Sequence, residues 1–173
     1  MIKGIRMIIR DKTAFAEESG VLKQIGKPID IINSIAKDIK LIHVVDLNAK
    51  LGNTTNFDLY NHMTYKINIE VEMPPKERII KKLLDMKARV VLDLPCALNL
   101  KKFSENIRLL VGLVKKEERE ENVFDYYIKT DDVELLKVLT KNKTKKRVLL
   151  YSNKIGEKEA ENAGVFALIR DYF

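Results

Sequence analysis

Arg10, Asp46, Glu70, Glu72, Asp93 and Lys129 are the residues whose types and spacing could do chemistry together. Each lies at or near the end of a stretch that reads as a β-strand. The most telling stretch is residues 41–52, LIHVVDLNAKLG: an apolar, β-branched run carries one carboxylate, Asp46, and passes straight into a polar, Gly-containing segment. A buried parallel strand reads this way when it delivers a polar side chain to the rim of a sheet or barrel. Two chemistries follow. Glu70, Glu72 and Asp93 could offer Mg2+ the oxygen ligands it prefers. Alternatively, a carboxylate beside Arg10 or Lys129 could serve as a tuned acid or base. A third reading needs no chemistry: the charges pair with one another inside the fold, as buried charges must. No cofactor beyond Mg2+ is expected.

The remaining reactive side chains read as structural. The histidines are His43 and His62, on different elements, which argues against a His-rich metal site. By the parity that turns Asp46 inward, His43 should face outward and pack against helices. Cys96 is the single cysteine, so there is no disulfide framework, and no activating motif surrounds it. Tyr126 and Tyr127 should fill core. The basic segment 141–147, KNKTKKR, could touch RNA phosphates, but it lacks interleaved aromatics and reads as a solvated turn.

Residues 2–10 alternate, with Arg6, Ile8 and Arg10 opposite Ile5, Met7 and Ile9, and read as a strand with a charged face. Residues 11–27 have no lasting period and read as a long loop. Pro28 opens a helix carrying Ile29, Ile32, Ile35 and Ile39 at helical spacing. After the strand at 41–47 come a loop, 48–56, and a short helix, 57–64. Residues 67–73, INIEVEM, alternate most cleanly, with Asn68, Glu70 and Glu72 sharing one face. A helix to about Lys87 and a buried strand at 89–94 follow. Phe103, Ile107, Leu110, Val111 and Val114 then predict a long amphipathic helix over 99–116, ending in a charge run, KKEEREEN, at 115–122. Strands at 124–130, 148–152 and 165–169 enclose helices that begin near Asp131–Asp132 and at 156.

Strand and helix alternate through seven strands in one domain spanning all 173 residues. That is the pattern of repeated βα units on a parallel sheet. Polar groups on single strand faces fit a TIM-type βα barrel better than an open sheet, because a barrel's outward face must be apolar while its interior can hold charge. An eight-stranded barrel usually takes ~250 residues. The expectation is therefore a shortened barrel: one unit lost, a short strand hidden in 115–122, or closure by a partner chain or a second copy.

The chain carries a formal charge of +7, spread along its length, and 46% apolar residues. Abundant Lys, Ile and Glu without Trp is a thermophile-like composition, which accounts for the charge without a polyanion surface. No apolar run approaches the ~20 residues of a membrane span, and the N-terminus lacks a signal-peptide pattern. A cytoplasmic protein is expected.

Residues 26–60, GKPIDIINSIAKDIKLIHVVDLNAKLGNTTNFDLY, resemble the early part of the HisA-type barrels, the ProFAR isomerases of histidine biosynthesis, whose sister is the cyclase subunit HisF. The similar features are Gly26 and Pro28 before the first helix, HVVDL at 43–47, Gly52 and Asn56. INIEVEM, its helix and RVVLDL are similar to the third and fourth units of that family, and residues 145–173 to its last two. The resemblance implies a TIM-type barrel with its site at the C-terminal rim. It also implies two acid–base aspartates, on the first and fifth strands. The first falls at Ile9 or Arg10, and no fifth strand is evident. The phosphate-binding glycines of the family fall at Glu70-Val71-Glu72, Asp93-Leu94, Asn153-Lys154 and Leu168-Ile169, where the acidic residues would repel phosphate.

The sequence thus points to a relative of ProFAR isomerase that does not catalyse that reaction. It would bind or transform a small metabolite at the barrel rim, with isomerase- or lyase-like activity on a phosphorylated or cationic compound if it is an enzyme. The competing class is a non-catalytic barrel acting as a subunit or binding module.

Overall fold

The computed structural model describes residues 1–115, 122–141 and 146–172. Eight strands run parallel in a closed ring: β1 (Ile2–Arg10), β4 (Leu41–Asp46), β5 (Asn68–Glu72), β6 (Arg89–Asp93), β7 (Leu110–Val114), β8 (Asp125–Lys129), β9 (Val148–Tyr151) and β10 (Ala167–Asp171). Pairing of β10 with β1, from Ile2 opposite Ala167 to Arg6 opposite Asp171, closes the ring within one chain. The protein is a TIM-type α/β barrel, and no partner strand is needed to complete it.

Each strand splits its residues between two environments. On β1, Ile5, Met7 and Ile9 face outward into one large apolar layer with Ile42, Val44, Ile69, Val71, Val90 and Leu92. The helices α1 (Pro28–Ile35), α3 (Phe57–Thr64), α4 (Glu77–Asp85) and α5 (Val133–Lys141) press their apolar stripes onto this layer. On α4, Ile79, Ile80, Leu83 and Leu84 are buried at the expected spacing. A short α2 (Leu47–Lys50) follows β4, and α6 (Glu157–Asn162) precedes β10. The interior holds a smaller apolar belt including Leu41, Val91, Val111, Leu149 and Ile169. His43, Glu70 and Asp125 are buried with it.

The eighth strand is β7, inside the stretch whose spacing predicts a helix over 99–116. Residues Leu100–Leu109 form a 3-10 segment broken at Phe103 and Asn106, and Leu110–Val114 then runs as a fully buried strand. A run of five apolar residues satisfies helical and strand patterns alike. Gly112 resolves the choice in favour of a strand packed outward, since a Cβ there would collide with Leu94 and crowd Val123. The charge run at 115–122 lies mostly outside the described residues, as does most of the basic segment 141–147.

Residues 11–27 are not a loop. They form an antiparallel hairpin, β2 (Thr13–Glu18) and β3 (Val21–Gly26), that continues β1 beyond the barrel rim. Both of its turns have positive φ at two successive residues, Asp11 and Lys12, then Ser19 and Gly20. Such turns match the twist of the strands they join. Phe15 returns onto Ile8, Val45 and Leu47, so the hairpin covers part of the C-terminal mouth.

Candidate active site at the C-terminal mouth

Glu70, Glu72 and Lys129 are brought together, around a residue expected elsewhere. His43 faces into the barrel, with Leu41 and Val45, and not outward. Its Nδ1 lies 2.9 Å from Glu70 Oε1 and its Nε2 3.3 Å from Glu72 Oε2. Its ring stacks on Tyr127 of β8. Burial disfavours the imidazolium, but hydrogen bonds to the two carboxylates outweigh it and raise the His43 pKa. For Glu72, burial acts upward, yet the hydrogen bond from His43 and the charges of Lys129 and Lys50 hold it well below the usual carboxylate range. Lys129 Nζ is 3.1 Å from Glu72 Oε2, and Lys50 Nζ is 3.4 Å from Oε1. The Lys129 side chain is 38% exposed, so the pair opens to solvent at the strand ends.

Deeper in the barrel, Glu70 also faces Arg89 Nη1 at 3.4 Å. Arg89 binds Asp125, which takes two further hydrogen bonds from Arg147, at 2.9 and 2.8 Å. Across the mouth, Asp171 accepts from Arg6 (3.1 Å), Tyr151 (2.9 Å) and Asn153 (2.7 Å). Arg6 also reaches Glu17 of the hairpin at 3.2 Å. The alternation of β1 and β8 already sets Arg6, Asp125 and Lys129 on polar faces. The inward turn of His43 had no such signal, because β4 is apolar on both sides.

The other expected site residues lie apart. Asp46 shares the outward parity of Ile42 and Val44 and does not enter the barrel. It is fully buried and caps α2, accepting from Ala49 N (2.9 Å), Asn56 Nδ2 (2.8 Å) and Tyr60 Oη (2.7 Å). Asn56 in turn binds Asn48 and the Lys12 backbone, so this carboxylate ties two βα loops together. Arg10 is exposed and lies over the Phe15 ring, 4.8 Å from its centroid. Asp93 is exposed and pairs with Lys115 at 2.7 Å. Among the described residues no three His, Cys, Asp or Glu side chains gather as a group that could hold a metal ion, and of the three carboxylates considered for Mg2+, Glu70 and Glu72 share His43 while Asp93 pairs with Lys115. Cys96 is a half-buried free thiol. No helix among the described residues is long and apolar enough to cross a membrane.

No family model matches the chain, and no curated protein matches it. Among solved structures it is similar to one described as "Native KDPGal structure", with a TM-score of 0.59 and 10% identity over 97% of this chain and 80% of that one. It is also similar to the YdjI aldolase from Escherichia coli K12, with a TM-score of 0.56 and 10% identity over 99% of this chain and 75% of that one. At such identity the likeness carries the fold alone. It supports the βα barrel and lends no support to a HisA-type relation.

Proposed function

We propose that this barrel is a lyase- or isomerase-type enzyme acting on a small carbonyl compound, with Lys129 as the nucleophile. The observation that carries the reading is the Lys129–Glu72 pair, an amine 3.1 Å from a carboxylate at the open end of the barrel. A lysine amine adds to a carbonyl carbon and splits one hard step into two easier ones. Lys129 first yields a proton to solvent, which reaches its exposed end. The Nζ lone pair then attacks the carbonyl carbon, and loss of water leaves an iminium. The iminium draws electrons from a neighbouring C–H bond, whose proton passes to solvent, or from a neighbouring C–C bond, the carbinol O–H proton passing to solvent as the aldehyde leaves. Either gives an enamine, which takes up a proton at carbon to become an iminium again. Hydrolysis returns the amine.

Glu72 is too weak a base to abstract a proton in this scheme. Its negative charge instead faces the Lys129 nitrogen and stabilises positive charge as it develops from the neutral amine towards the iminium, while also holding the resting ammonium. His43, held by Glu70 and Tyr127, fixes Glu72 in place. The aldolase among the structural neighbours supports the choice of carbonyl chemistry only through its fold.

The test is solvent-deuterium exchange into pyruvate, dihydroxyacetone and dihydroxyacetone phosphate, followed by NMR. Exchange beside the carbonyl is expected with the native chain and not with Lys129→Met. Its absence with every ketone contradicts the reading. A non-catalytic binding barrel is the second reading, favoured by one observation: Glu70, Glu72, Asp125 and Asp171 each already hold at least one cation.

A further inference from the structure

The opposite, N-terminal mouth of the barrel holds a cavity of about 390 Å3 that the chemistry above does not use. Its charged lining is entirely cationic: Lys40, Arg89, Arg108 and Arg147. Arg89 and Arg147 share Asp125, and their role in the barrel interior is structural. Lys40 and Arg108 are different. Among the described residues Lys40 Nζ donates only to the carbonyls of Ala36 and Lys37, at 3.0 and 2.8 Å. Arg108 is exposed and makes no ion pair among the described residues. Among the described residues two positive charges thus face the cavity with no carboxylate against them, and a concave site lined by one sign of charge concentrates the opposite ion.

The rest of the lining is apolar and aromatic. Phe124 and Phe166 flank the Arg147 guanidinium, with its carbon 5.2 and 4.2 Å from their ring centroids. Leu41 and Leu149 floor the cavity. The two rings and the two hydrogen bonds to Asp125 fix the Arg147 guanidinium in the wall of the cavity, and leave Lys40 and Arg108 as the cations open to an anion. The volume falls within the range of small-molecule sites, which combine an apolar lining with a few polar groups.

We propose that the N-terminal mouth binds a small organic anion, a carboxylate or phosphate ester with an apolar or aromatic body, at a site separate from Lys129. The anionic group meets Arg108 and Lys40, and the body lies against Phe124 and Phe166. This does not depend on the Lys129 chemistry.

Isothermal titration of the full chain with phenyl phosphate and inorganic phosphate, at fixed salt, tests it. Phenyl phosphate should bind one per chain and more tightly than inorganic phosphate. The Lys40→Glu/Arg108→Glu variant should lose about tenfold or more in affinity, the loss expected for charge-assisted contacts. Lys82→Glu, a half-buried change outside the cavity, should leave binding intact, and thermal melts of both variants report folding. The proposal is overturned if phenyl phosphate does not saturate the native chain, if inorganic phosphate binds equally well, or if Lys82→Glu costs as much affinity. Single-stranded RNA that binds tightly, falls steeply with salt and is lost in the same double variant would also overturn it, in favour of a polyanion surface.

Discussion

His43 and Tyr127 lie face to face across the barrel interior, their ring centroids 4.2 Å apart and their planes inclined by 1°. They sit on β4 and β8, four strands apart in a ring of eight. The stack fixes the plane of the imidazole, and that plane lets its two nitrogens meet Glu70 and Glu72 at once. The Tyr127 hydroxyl is buried and has no hydrogen-bond partner among the described residues, so the ring, and not the oxygen, is what the site uses.

Tyr127→Phe keeps the ring and removes an unpartnered hydroxyl. Urea unfolding should show stability within about 1 kcal/mol of the native chain, or slightly higher, because no hydrogen bond is lost. Tyr127→Ala removes the ring and should cost about 3–5 kcal/mol.

The His43–Glu72 contact sets a pH window. The His43 pKa is raised from 6.5 on folding, so its contribution is complete below 6.5 and is lost as pH rises through the folded value. The Glu72 pKa is lowered from 4.5, so its contribution is present above 4.5 and is lost as pH falls through the folded value. Together they stabilise most between 4.5 and 6.5. The stability difference between the native chain and His43→Gln, measured by urea unfolding from about pH 5 to about pH 9, should therefore shrink at the alkaline end. A constant difference would contradict the pairing.

Asp46 should behave as a structural residue. Asp46→Ala strands the Asn56 amide, the Tyr60 hydroxyl and the Ala49 N–H, and should cost about 3 kcal/mol or more in urea unfolding. The folded fraction should retain full reactivity at Lys129. Loss of that reactivity at unchanged stability would return Asp46 to the site.

How much was legible in the sequence follows from how unambiguous each pattern is. INIEVEM alternates charge against aliphatic residues, so Glu70 and Glu72 could be turned inward from the sequence alone. FDYYIKT carries a tyrosine on each face, so its pattern marked Lys129 but did not single out Tyr127 or Asp125. LIHVVDL is apolar on both faces, so nothing in it distinguishes an inward His43 from an inward Asp46. LVGLV satisfies helix and strand spacing equally, which hid the eighth strand. The hairpin was hidden because Asp11, Lys12 and Ser19 adopt positive φ without being glycine. Asp46 and Asn56, two of the residues behind the resemblance to HisA-type barrels, bind each other in a loop network. They report on the barrel and not on its chemistry.

The most direct test of the central claim is borohydride trapping. The native chain and Lys129→Met are incubated with each of the three ketones, reduced, and read by intact mass and peptide mapping. A single ketone-derived adduct on Lys129, absent from Lys129→Met, is the expected result. No adduct, or one spread over exposed lysines and unchanged in Lys129→Met, would contradict a nucleophilic Lys129 and leave the mouth of the barrel as a binding site without covalent chemistry.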